Sequence, residues 1–190
     1  NNLVAAEQAF TEGLRLGGES FVYHIFQDDV NRWIAMRREI YPLIDQLVPT
    51  ELSDPFVRFD ADRIAVAGRV STPAGRVVLS IDVAPVFEDR AIVLRATAVR
   101  CGSVSMPMDF GGLDLARSIE REPEKVWPGS PRIWGDLAAG LHLDARAWWK
   151  NGGIDYRVLN VWVEPGVLHL KIEPLGPHHR TARRTHDWPF

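Results

Sequence analysis

The period of apolar positions changes several times along the chain, and each change marks an element. Leu3, Ala6, Phe10 and Leu14 recur at helical spacing and predict a helix over 3–16, closed by Gly17-Gly18. Residues 20–26 are aromatic and β-branched and predict a strand. Asp28 or Asp29 can then cap a helix over 30–41, with Val30, Trp33, Ile34 and Tyr41 on one face and Arg32, Arg38 and Glu39 turned to water. Pro42 kinks that helix or restarts it for one turn over 43–48.

Residues 55–105 alternate with a period of two. Strands are expected over 56–60, 63–70, 76–87 (bent at Pro85) and 91–100, joined by turns at Ala61-Asp62, 71–75 and 88–90. Connections this short force antiparallel neighbours, so the segment is a β-meander. Val77, Leu79, Ile81 and Val83 line one face, with Ile92, Leu94, Ala96 and Ala98 as companions. Ser80, Asp82, Arg95 and Thr97 fall on the other, more polar face.

Prolines and glycines then break the pattern. Short helices are expected over 111–120 and 131–141, the second opened by Ser130-Pro131. Asp144 can cap a last helix carrying Trp148 and Trp149, ended by Asn151-Gly152-Gly153. A hairpin follows, with strands over 154–163 and 167–173 around Glu164-Pro165-Gly166. Residues 176–190 are polar and rich in His and Arg, and read as a loose tail after a single domain over 1–175. The class implied is α+β, a mainly antiparallel β-meander sheet with helices packed on one face.

Composition narrows the functional classes. The 190 residues carry 22 Lys and Arg against 25 Asp and Glu, a net charge of −3, which lacks the basic excess of a nucleic-acid binder. One cysteine excludes an internal disulfide framework and a multi-cysteine zinc site. No run approaches the roughly 20 apolar residues of a membrane span. The chain begins Asn1-Asn2 without methionine, which is compatible with an upstream signal or anchor.

Reactive residues are scattered. Cys101 ends a strand and lacks a nucleophile elbow, and a catalytic thiol would need an imidazole beside it. Asp60-Ala61-Asp62 has the look of a carboxylate metal pair, yet it stands where a hairpin turn is required and aspartate favours turns. His24, His142, His169, His178, His179 and His186 form no His-x-x-x-His pair on a helix, so no metal or other cofactor is expected. Tryptophan is plentiful, at 7. Trp33, Trp148, Trp149 and Trp162 are the candidate ligand-binding residues, because aromatic rings line apolar grooves as readily as they fill cores.

Three stretches resemble the YpmS-like group of membrane-anchored extracytoplasmic proteins. They are the helix opening Asp28-Asp29-Val30-Asn31-Arg32-Trp33-Ile34-Ala35, the strand pair over 64–70 and 77–85 closing on Ala84-Pro85, and Val99-Arg100-Cys101-Gly102-Ser103-Val104-Ser105-Met106-Pro107. The likeness covers roughly 28–107, and the Trp- and Pro-rich stretch over 111–150 departs from it. It implies an N-terminal anchor, an extracytoplasmic location and a binding or scaffolding role.

The expectation is therefore a non-catalytic extracytoplasmic binding or scaffolding domain, membrane-associated, holding a lipid-like or other hydrophobic ligand in an apolar groove. Two other readings stand beside it: a small hydrolase using Cys101 or Asp60/Asp62 with a histidine, and a structural assembly domain.

Overall fold

The structure is a computed structural model that describes residues 2–16, 18–36, 39, 52–72, 75–106 and 139–177. The helices expected over 43–48, 111–120 and most of 131–141, and the tail beyond 177, lie outside the described residues.

The N-terminal helix α1 is Asn2–Arg15. Its alanines and glutamates favour helix, and Phe10 and Leu14, one turn apart, are both buried. Strand β1 (Phe21–Phe26) alternates: Phe21, Tyr23 and Ile25 turn inward, while Val22, His24 and Phe26 turn outward. Helix α2 (Gln27–Ala35) follows directly, with Phe26 at its N-cap and Met36 at its C-cap. Asp28 and Asp29 are therefore not the cap; they lie in the first turn, where the helix dipole favours carboxylates.

The meander is present. β2 (Leu52–Asp60), β3 (Arg63–Thr72), β4 (Gly75–Glu88), β5 (Ala91–Cys101) and β6 (Val104–Met106) pair antiparallel in that order. β2 begins earlier than expected and runs through Pro55, which a register shift between Ser53 and Phe56 accommodates on an edge strand. Pro85 pairs only with Leu94 of β5, because β3 ends opposite Val83, so its missing N–H leaves no ladder bond unmade.

Thr97 is the extra residue of a bulge: Asp82 lies opposite Ala98, but Val83 lies opposite Ala96. This moves Ala98 onto the face of Asp82 and puts Val99 in its place. The core of the sheet is accordingly Ile81, Val83 and Val99, packed by Leu79, Leu94, Ala96 and Leu141.

The region after residue 139 differs most from expectation. Leu141 does not end a helix; it opens β7 (Leu141–Asp144), which pairs with the first half of β5. Trp148 and Trp149 are not helical either. They end β8 (Arg146–Trp149), which pairs with β9 (Ile154–Glu164). Arg-Ala-Trp-Trp is too short for period to separate helix from strand, and aromatic residues suit a half-buried strand once a partner is beside them. Asp144 still serves as a local acceptor, taking the Arg146 N–H at 2.8 Å.

β9 and β10 (Val167–Pro177) form the expected hairpin, extended at its far end. β10 also pairs with β1, joining residues 21–26 to residues 167–172. The strands thus belong to two antiparallel sheets rather than one: a four-stranded sheet ordered β1-β10-β9-β8, and a six-stranded sheet holding β2 to β6 with β7 on β5. The class is α+β. Helix α1 lies on the four-stranded sheet, and α2 runs against β2 of the other. Backbone bonds stitch the sheets where the β2–β3 and β9–β10 turns meet: Asp62 N–H to Val163 O at 3.1 Å and Gly166 N–H to Phe59 O at 3.0 Å. Gln27 N–H to Gly166 O at 2.9 Å continues the β1–β10 ladder past the end of β1.

Candidate functional site

A cluster of five aromatic rings seats α1 on the four-stranded sheet. The Phe10 ring meets Tyr23 and Trp149 at 4.9 Å, Tyr156 at 5.4 Å and Phe21 at 6.3 Å, all edge to face. The polar tips are satisfied within this cluster: Trp149 Nε1–H donates to Thr11 Oγ1 at 3.0 Å, and Tyr23 O–H donates to the Ala6 carbonyl at 3.1 Å. Burial pushes the Tyr156 phenol above its ordinary pKa; for Tyr23 burial does the same, aided by the nearby Asp29 carboxylate.

Beside this cluster lies a hollow of about 360 Å³ between the end of α1, the β8–β9 turn and the end of β10. Leu14, Ile154, Pro174 and Pro177 line it, and Arg15 stands at its rim. Gly18, Gly152, Gly153 and Gly176 complete the wall. A Cβ on Gly152 would come within 2.9 Å of the Trp149 ring, so glycine keeps that ring close beneath the wall.

On the opposite face of the same sheet, three rings stand in a row across adjacent strands. His24 Nδ1 lies 2.9 Å from His169 Nδ1, and Trp162 stacks on the His169 ring at 4.9 Å with planes 5° apart. One imidazole must donate its Nδ1–H while the other accepts. His169 is 8% exposed, and its Nε2 lies 3.5 Å from Glu164 Oε2 but makes no hydrogen bond. The pair spans 145 residues of sequence, and each histidine taken singly is an ordinary strand residue.

The four nominated tryptophans are distributed rather than gathered. Trp149 is in the α1 cluster. Trp148, the preceding residue of the same strand, faces the opposite side and is 37% exposed. Trp162 shares that side, but its position on β9 is seven residues from Asp155, the partner of Trp148, or about 20 Å along the strand. Trp33 is half-buried on α2.

The reactive candidates are occupied by structure. The Asp60 carboxylate binds Arg58 at 2.9 Å and Arg63 at 3.2 Å, while Asp62 is exposed in the turn with φ 60°. Cys101 is a half-buried free thiol opposite Leu79 and Val104, with no hydrogen bond to a histidine among the described residues. Asp82 lies on the face expected to be the more polar one, yet it is 3% exposed. Arg100 at 2.8 Å and Arg63 at 3.2 Å hold it, making the charge row Arg58, Asp60, Arg63, Asp82, Arg100 across β2 to β5. Alternation of polar and apolar residues is the same for a buried as for a solvated aspartate, so no sequence signal marked it. His142 is exposed on β7, and His178, His179 and His186 lie outside the described residues.

Among the described residues no group of three His, Cys, Asp or Glu is placed to hold a metal ion, and no helix is long and apolar enough to cross a membrane. No family model, no curated protein and no solved structure matches the chain.

Proposed function

We propose that this chain is a non-catalytic binding domain that takes a hydrophobic, lipid-like ligand at the hollow beside α1. The observation that carries the reading is the hollow itself. It is a half-open groove of about 360 Å³, its lining is mostly apolar, and among the described residues one cation, Arg15, stands at its rim. That arrangement suits an acyl chain or small apolar ring with an acidic end. The carboxylates and the thiol that a hydrolase would use are engaged in ion pairs or set in turns and strand ends, which favours binding over hydrolysis. In the same reading the domain works outside the cytoplasm at a membrane surface, as the resemblance to YpmS-like proteins implies.

The test is titration with the fluorescent fatty acid cis-parinaric acid, together with native mass spectrometry of protein purified without detergent. Saturable binding at one site is expected. Pro177→Trp, which fills the hollow, lowers affinity by about tenfold or more, and Arg15→Glu weakens the acid but not its methyl ester. Unsaturable binding, or an affinity unchanged by Pro177→Trp, overturns the reading.

A further inference from the structure

A sheet edge carries a row of unpaired N–H and C=O groups, and folds usually close or blunt such edges. Here most are managed. The β2 edge is closed by α2, whose Asn31 bonds both backbone groups of Val57 while Gln27 Oε1 accepts the Phe59 N–H at 2.7 Å. β6 has three residues, and β7 and β8 have four each. β1 is the exception. Its six residues, Phe-Val-Tyr-His-Ile-Phe, include no Asp, Glu, Lys, Arg, Pro or Gly, and their register with β10 has no bulge. Among the described residues nothing pairs with its outer side. Val22 and Phe26 stand 40% and 52% exposed on one face of it.

Charge selects the partner. Glu19 precedes the strand by two residues and Asp28 follows it by two, both exposed; Asp29, beside Asp28, is bound to Arg32. A second copy pairing antiparallel would bring Glu19 of each chain to the Asp28-Asp29 end of the other, carboxylate against carboxylate. The cation Lys171 is one strand further in, opposite Val22.

We propose that β1 is a docking edge for an extended segment of a partner protein that adds antiparallel to the sheet. The segment has apolar residues at alternate positions, to cover Val22 and Phe26, and Lys or Arg at each end, to meet Glu19 and Asp28. Backbone hydrogen bonds supply the attraction, and the alternate side chains with the charged ends supply the selectivity. This surface is separate from the hollow beside α1.

The probe is a fluorescein-labelled peptide of alternating valine and threonine between Lys-Arg ends, followed by fluorescence anisotropy with the whole chain. Three companions are the same peptide N-methylated at alternate amides, an acidic-ended peptide, and the Glu19→Lys/Asp28→Lys double variant. The basic-ended peptide should bind saturably, the acidic-ended one at least about tenfold more weakly, and the N-methylated one not measurably. The double variant should reverse the preference for basic over acidic ends. Circular dichroism confirms that the variant is folded. Absence of saturable binding up to about 1 mM peptide, or equal binding of the N-methylated peptide, overturns the proposal. So does light scattering that shows a dimer abolished by Val22→Ser, since the occupant would then be a second copy.

Discussion

The side-chain amide of Asn31 imitates a neighbouring strand for Val57. Its Nδ2–H donates to the Val57 carbonyl at 2.8 Å, and its Oδ1 accepts the Val57 N–H at 2.7 Å. Asn31→Ala leaves both backbone groups without partners at a half-buried edge and should cost about 1–3 kcal/mol. In a chain of this size that lowers Tm by about 2–4 °C per kcal/mol. Urea unfolding with an unchanged m-value checks it, and a loss below about 0.5 kcal/mol would show that water replaces the amide adequately.

Gly13 owes its place to Phe21. A Cβ there would lie 2.6 Å from Phe21 Cε2 and 2.7 Å from Cζ. In an exposed helix Gly→Ala gains up to about 1 kcal/mol. At this position overpacking should outweigh that gain, and Gly13→Ala is expected to destabilise by about 1–2 kcal/mol. Adding Phe21→Leu should make the Gly13→Ala step less costly than it is with Phe21 present, which a double-mutant cycle measures.

The buried carboxylate of Asp82 balances Arg63 and Arg100. Asp82→Ala strands two guanidiniums, but both reach solvent, so the expected loss is about 2–3 kcal/mol, at or below the lower end for breaking a buried pair. Asp82→Asn keeps hydrogen-bond acceptance and should cost less. Chemical denaturation of the two variants side by side gives the order, and the reverse order would refute the role assigned to the charge row.

Alkaline pH should weaken the seat of α1. Tyr156 is raised by burial, and Tyr23 by burial and then by Asp29, so the fold favours both phenols neutral. Their contribution is fully present below the unfolded phenol value near 10.0 and is lost as pH rises through the higher folded values. Thermal melts from pH 8 upward should therefore fall above about pH 10, and Tyr156→Phe should flatten part of that fall. A Tyr156→Phe variant with the same alkaline slope as the parent would count against the assignment.

Legibility followed the range of the interactions. The meander could be read because each of its strands is tied to the next by a short turn, so local pattern and global pairing coincide. The Thr97 bulge could not, since one inserted residue depends on how β4 and β5 twist together; it sent Ala98 to the wrong face in the sequence reading. Arg146–Trp149 was misread because four residues carry no period, and β9 decided their state. The hollow is assembled from the end of α1, the 152–153 turn and the end of β10, three places with no shared motif. The histidine pair meets only because β1 and β10 pair across nearly the whole chain.

By itself the sequence determined the class, the first helix, the meander and the last hairpin, because helix propensity, alternation and turn chemistry act over a few residues. Tertiary structure alone decided that the strands divide between two sheets, that α2 closes the β2 edge while no described strand pairs with the outer side of β1, and that Asp82 is buried between arginines. Those outcomes depend on which distant surfaces exclude water together. Residues far apart in the chain settle that jointly, and no local window records it.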